Sequence, residues 1–138
     1  MNSEKSAPQL RTMLYISGDS INFADLEQLI QKQPTETGVK NEVRPNKKLV
    51  HAESFWKYSE ETNHYSVDDA VSALLNILGG AVSQTLGNYL AEHMLDLSII
   101  CNVTIYDDRP VYELSRKTIK ELANLDAEFI MDIFDYSD

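Results

Sequence analysis

A chain of 138 residues with 43% hydrophobic and 25% charged positions, five Gly and four Pro has the size and balance of one globular domain, and excludes a collagen-like or intrinsically disordered chain. Twenty-two acidic against twelve basic residues give a formal charge of −10, which repels phosphate backbones and anionic lipid, so neither nucleic acid nor membrane is expected as a partner. One cysteine, Cys101, excludes an internal disulfide and a thiolate zinc cluster and fits a reducing, cytoplasmic compartment.

Residues 1–11 contain no apolar run, so no signal peptide or membrane span is expected there, and they read as a flexible polar tail. From Thr12 to Ser17 apolar and polar residues alternate, with Leu14 and Ile16 on one face and Met13 and Tyr15 on the other, predicting a strand closed by Gly18-Asp19. Asn22 offers an N-cap, and Phe23, Leu26, Leu29 and Ile30 recur at helical spacing as far as Lys32. Residues 33–48, with Pro34, Gly38 and Pro45, read as a long loop. Lys40, Arg44, Lys47 and Lys48 make this loop the one basic patch of the chain, a pattern that ordinarily marks a solvated segment.

Leu49 to Tyr58 reads as a second strand, with Ala52, Ser54, Trp56 and Tyr58 on one side and His51, Glu53, Phe55 and Lys57 on the other. Trp56 belongs to the core, because a strand tryptophan buries a large area. Ser66 starts the dominant helix, whose stripe Val67, Val71, Leu74, Leu75, Leu78, Val82, Leu86, Tyr89 and Leu90 is interrupted at Gly79-Gly80, a pair that permits a kink or close packing on the sheet. Leu97 to Tyr106 is the clearest strand, and its alternation turns Cys101 into the core. Asp107, Asp108 and Pro110 form a turn, and Val111 to Leu114 is extended. Ser115 caps a further helix carrying Ile119, Leu122 and Leu125, and Ala127 to Phe134 is the last strand.

The expected architecture is α+β, a single domain over 1–138. It is a two-layer α/β sandwich with a mixed four- or five-stranded sheet and helices mainly on one face, in the order β-α-β-α-β-α-β. The uncovered face is the place to look for function.

No catalytic, cofactor or metal site is expected. His51, His64 and His93 are scattered, with no second His or Cys at ligand spacing. Cys101 is expected to be buried and inert. No nucleophile elbow, phosphate loop or dinucleotide fingerprint is present. His51 and Glu53 are the one pair that merits testing for catalysis.

The end of the chain is different. After Lys120 come Glu121, Asp126, Glu128, Asp132, Asp135 and Asp138 without another base, interleaved with Phe129, Ile130, Phe134 and Tyr136. Glu128, Asp132, Phe134 and Tyr136 share the strand face turned from the core. Acids beside aromatics suit a basic protein partner, although charges on an edge strand also serve to prevent self-pairing.

Ile16-Ser17-Gly18-Asp19, Pro34-Thr35, Phe55-Trp56, Leu114-Ser115, Leu122-Ala123-Asn124-Leu125 and Asp132-Ile133-Phe134 together resemble the bacterial domain-of-unknown-function 4279 family, from about Tyr15 to Tyr136. The segment between Pro34 and Trp56 is less like the family. The resemblance implies a fold and no activity. By analogy with other small acidic bacterial proteins, the expectation is a non-enzymatic, cytoplasmic immunity or inhibitor protein that neutralises a toxin with a basic surface, such as a nuclease domain. The expected contact residues are Glu128, Asp132, Phe134, Asp135 and Tyr136, joined by Glu53 and Tyr15. The alternative is a housekeeping domain that binds a small ligand or self-associates through the open sheet face. The oligomeric state is left open.

Overall fold

A computed structural model of the protein describes residues 7–42, 52–63, 65–79 and 81–137. In chain order it contains β1 (Gln9–Gly18), α1 (Phe23–Ile30), β2 (Glu36–Gly38), β3 (Ser54–Thr62), α2 (Val67–Leu75), a 3-10 turn (Asn76–Leu78), α3 (Ala81–Glu92), β4 (Asp96–Ile105), α4 (Arg116–Asn124) and β5 (Glu128–Asp135). The strands form one mixed sheet in the order β2-β3-β1-β4-β5. All neighbours are antiparallel except β4 and β5, which are parallel and joined through α4, as a parallel pair requires a crossover.

Alternation decides the two faces of the sheet. Leu10, Leu14 and Ile16 of β1 lie in register with Val103, Ile99 and Leu97 of β4, and all six are buried with Trp56, Cys101 and Ile105. Against this face pack Leu26 and Ile30 of α1, Val67, Val71 and Leu74 of α2, Leu86 and Leu90 of α3, and Leu122 of α4, giving one continuous core. The architecture is therefore the expected α+β layer of helices on one side of a five-stranded open sheet. Among the described residues no single helix is long and apolar enough to cross a membrane.

Local chemistry starts the helices where the capping residues stand. Asn22 accepts a hydrogen bond from the backbone N–H of Asp25, Ser66 from that of Asp69, and Ser115 from that of Thr118, at 3.1, 3.2 and 3.2 Å. Each satisfies an N–H that has no partner within its own helix. α1 ends where Gln31 adopts φ 61° and returns its N–H to the carbonyl of Glu27, the left-handed C-cap geometry.

Several boundaries differ from expectation. Gln9, Leu10 and Arg11 belong to β1 and not to a tail: Leu10 is 0% exposed, and burying it extends the strand. The loop expected over 33–48 contains β2, a three-residue strand held to β3; Arg44, Lys47 and Lys48 lie outside the described residues. β3 begins at Ser54, not Leu49, and continues to Thr62. The dominant helix is two helices bent by 81°, because the chain leaves the 3-10 turn at Gly79 with extended backbone (ψ 154°). In α4 Leu122 is buried as expected, but Ile119 is exposed and Thr118 is buried in its stead. Val111 pairs with Ser66 as an isolated bridge.

Candidate functional site

Among the described residues no helix covers the second face of the sheet, and the register lays it out in rows. One row runs Glu36, Lys57, Tyr15, Ser98, Glu128 from β2 to β5. The next is Ser59, Met13, Ile100, Ile130, and beyond it comes Glu61, Arg11, Asn102, Asp132. Gln9, Thr104 and Phe134 follow. Met13, Ile100 and Ile130 are half-buried and stand outside the core, so they form an apolar band across three strands between two polar rows.

Charge on this face is lopsided. On the β3 side each base is taken up by an acid: Lys57 Nζ lies 2.7 Å from Glu36, and Arg11 Nε donates to Glu61 at 2.8 Å while Gln9 donates to the other Glu61 oxygen at 3.1 Å. On the β4 and β5 side Asp96, Glu128 and Asp132 have no ion pair among the described residues. Such exposed pairs add little stability, but they cancel field on one half of the face and leave the other half negative. Between the halves lies a depression of about 280 Å³ lined by Gln9, Arg11, Glu61, Asn102, Thr104 and Phe134. Its Asn102 Oδ1 is buried without a hydrogen-bond partner among the described residues.

The aromatic groups stand at two places. Tyr15 stacks on Phe55 of β3 with centroids 5.5 Å apart. At the far end Tyr136 donates its backbone N–H to Ile105 at 2.8 Å, which carries the β5 alternation one residue further and stacks its ring on Tyr106 at 6.3 Å. Phe134 and Tyr136 are both exposed.

Of the expected contact residues, Glu128, Asp132, Phe134, Tyr136 and Tyr15 lie on this face. Asp135 does not. It pairs with Ile105 and so points to the helix side, because adjacent strand residues alternate. There Ser137 donates to its carboxylate through both hydroxyl and backbone N–H, Arg109 approaches to 2.6 Å, and these contacts hold its pKa below the usual value. Glu53 is exposed on the bend before β3 and is not on a strand face. His51 and His64 lie outside the described residues. His93 is exposed, with its ring 4.1 Å from that of Tyr89. Cys101 is buried, and desolvation pushes its thiol up to about 11. Among the described residues no group of three or more His, Cys, Asp or Glu could hold a metal ion.

Met13, Ile100, Ile130, Arg11 and Asn102 are not among the contact residues expected from the sequence. Their signal was present: Met13 and Ile100 are apolar at positions that alternation assigns to the uncovered face. Their meeting in one band depends on strand order.

This fold and face define an α+β domain with a one-sided helical layer and an exposed, partly apolar, partly acidic sheet. The chain belongs to the DUF4279 family, described as a domain of unknown function, whose model matches residues 8–136. No curated protein and no solved structure matches it.

Proposed function

We propose that this protein acts without catalysis, by binding another protein on its uncovered sheet face, and that the partner is basic, in the form of a toxin domain that it neutralises in the cytoplasm. The observation that carries this reading is the juxtaposition of the Met13, Ile100 and Ile130 band with Asp96, Glu128 and Asp132, which have no ion pair among the described residues. An apolar centre supplies area to be taken out of water, and uncompensated charge at its side steers and orients a partner of opposite sign. A nuclease must hold phosphates with bases, so an acidic sheet laid over such a site would block substrate and needs no chemistry of its own.

The test is co-purification with the product of the adjacent gene, with relief of that product's toxicity as the readout. Replacing Glu128 and Asp132 together by Lys is expected to slow association by about tenfold or more at low salt, with an unchanged far-UV spectrum and melting temperature. Unchanged association kinetics with the authentic partner would remove the face assignment.

The depression beside Asn102 favours one other reading, a small polar ligand held between Arg11 and Asn102. Isothermal titration with the Asn102→Leu protein separates the two, because a ligand pocket would be lost there while a broad protein interface would only be weakened.

A further inference from the structure

The bond from the Tyr136 N–H to the Ile105 carbonyl fixes the phase of the last strand. Backbone groups alternate in direction along a strand, so Glu128, Ile130, Asp132 and Phe134 turn theirs to β4. Phe129, Met131, Ile133 and Asp135 turn theirs outward. Among the described residues no further strand follows β5 in the sheet order, so there the outward groups line a free edge on a strand of eight residues. Natural edges of that length are ordinarily blunted by proline, charged side chains or a cover; β5 has no Pro or Lys, and its charges, Glu128, Asp132 and Asp135, are all acidic, so they oppose a second copy and not a basic strand. Apolar side chains flank this edge on both faces: Met131 and Ile133, 37% and 49% exposed, on the helix side, and Phe134, 47% exposed, on the other.

We propose that the free edge of β5 accepts one extended strand from a partner protein, in which basic and apolar residues alternate. Side chains of an added strand lie beside those of β5 on both faces. On the uncovered face they meet Glu128 and Asp132, which select Lys or Arg. On the helix face they meet Met131 and Ile133, which select apolar residues. A second copy of this chain is a poor occupant, because antiparallel pairing of β5 with itself gathers Glu128 and Asp132 of both copies on one face, and like charges across a strand pair are unfavourable. The inference rests on the reading that the molecule works by binding protein, and adds how the partner engages.

The probe is a fluorescent peptide of about eight residues, the length of an ordinary strand, alternating lysine and valine, followed by polarisation at low salt. Two further peptides carry the same side chains with alternate backbone nitrogens methylated, in one phase or the other. Methylation in the phase that faces β5 is expected to weaken binding by about tenfold or more, and in the outward phase to leave it unchanged. Equal binding by all three peptides, or none by the unmodified one, overturns the proposal. Met131→Pro removes an outward N–H, which edge strands tolerate, and is expected to lose the peptide; if that variant does not fold, the methylated pair decides alone. If the authentic partner binds Met131→Pro normally but not the Glu128→Lys, Asp132→Lys protein, the edge inference fails and the face reading stands. Loss of the partner by both proteins is the result expected of the edge inference; if Met131→Pro alone loses it, a strand is added at the edge but the selection of basic residues by Glu128 and Asp132, and the face reading with it, fails. A concentration-dependent dimer that Met131→Pro abolishes would assign the edge to a second copy instead.

Discussion

Tyr15 and Phe55 stack at 5.5 Å with ring planes 16° apart, yet they are not opposite each other: Tyr15 stands across from Lys57, and Phe55 across from Ser17. The contact is diagonal, and Gly38 lets Phe55 take its position. A β-carbon at Gly38 would run into the Phe55 ring, with Cδ1 and Cζ both at 3.0 Å. Gly38→Ala is expected to push that ring off Tyr15 and to destabilise the protein by about 1–3 kcal/mol, the usual cost of overpacking. Urea unfolding measures it. The same substitution in a Phe55→Leu background should cost clearly less, and equal costs in the two backgrounds would refute the contact.

Leu14 and Met13 are neighbours on opposite faces of β1. Leu14→Ala opens a cavity in the core and is expected to cost about 2–5 kcal/mol. Met13→Ala removes a half-buried side chain from the uncovered face and should cost less than about 1 kcal/mol. Similar losses for both would mean that something covers the second face.

Cys101 should resist thiol reagents in the folded protein at pH 8, with labelling by Ellman's reagent at the rate of global opening. Its folded pKa stands near 11 against an ordinary 9.0. Below pH 9 both states keep the proton and the shift has no effect. As pH rises from 9 towards 11 the unfolded chain ionises first, binds fewer protons than the folded one, and stability falls. Cys101→Ser should reduce that alkaline slope, leaving the part contributed by Tyr58, Tyr65 and Tyr89, whose pKa values are also raised. Immediate stoichiometric labelling of native protein would contradict the burial.

Asp68 in the first turn of α2 accepts the backbone N–H of Ser115 at 2.9 Å, tying α2 to the start of α4. This bond, joined by Thr118, holds its pKa below the ordinary 3.8. The sign follows: the stabilisation is complete above pH 3.8 and is lost as pH falls through the lower folded value. Asp68→Asn should therefore be less stable at neutral pH and lose less on acidification, a difference visible in urea midpoints taken at pH 7 and pH 3. Parallel pH profiles for the two proteins would show that Asp68 contributes nothing through its charge.

Local signals in the sequence were reliable where their physics is local. The caps at Asn22, Ser66 and Ser115 act within one turn, and the β4 pattern from Leu97 to Ile105 distinguishes core from solvent residue by residue. The interruption at Gly79-Gly80 was legible but the size of the bend was not, because Leu78, Val82 and Leu86 keep helical spacing on both sides of it and pack on the same core. β2 is too short to alternate, and Leu10 stands between two polar residues. In the candidate site, period-two reasoning placed Glu128, Asp132, Phe134 and Tyr136 together, and the same rule separates Asp135 from them. The band of Met13, Ile100 and Ile130 depends on β1 lying beside β4 and β4 beside β5, a pairing that no window of sequence contains.

The position of β1 has a consequence for synthesis. Leu14 lies between Tyr58 and Ile99, so the earliest of the described strands is the middle of the sheet. Its two partners come from later in the chain, and the β1 edge that pairs with β4 stays without its hydrogen-bond partners until β4 has emerged. Such non-local pairing slows folding and lengthens exposure to other chains. A nascent chain arrested before Asp96 should therefore be a chaperone client and protease-sensitive, and protection should arrive abruptly once Ile105 clears the exit tunnel.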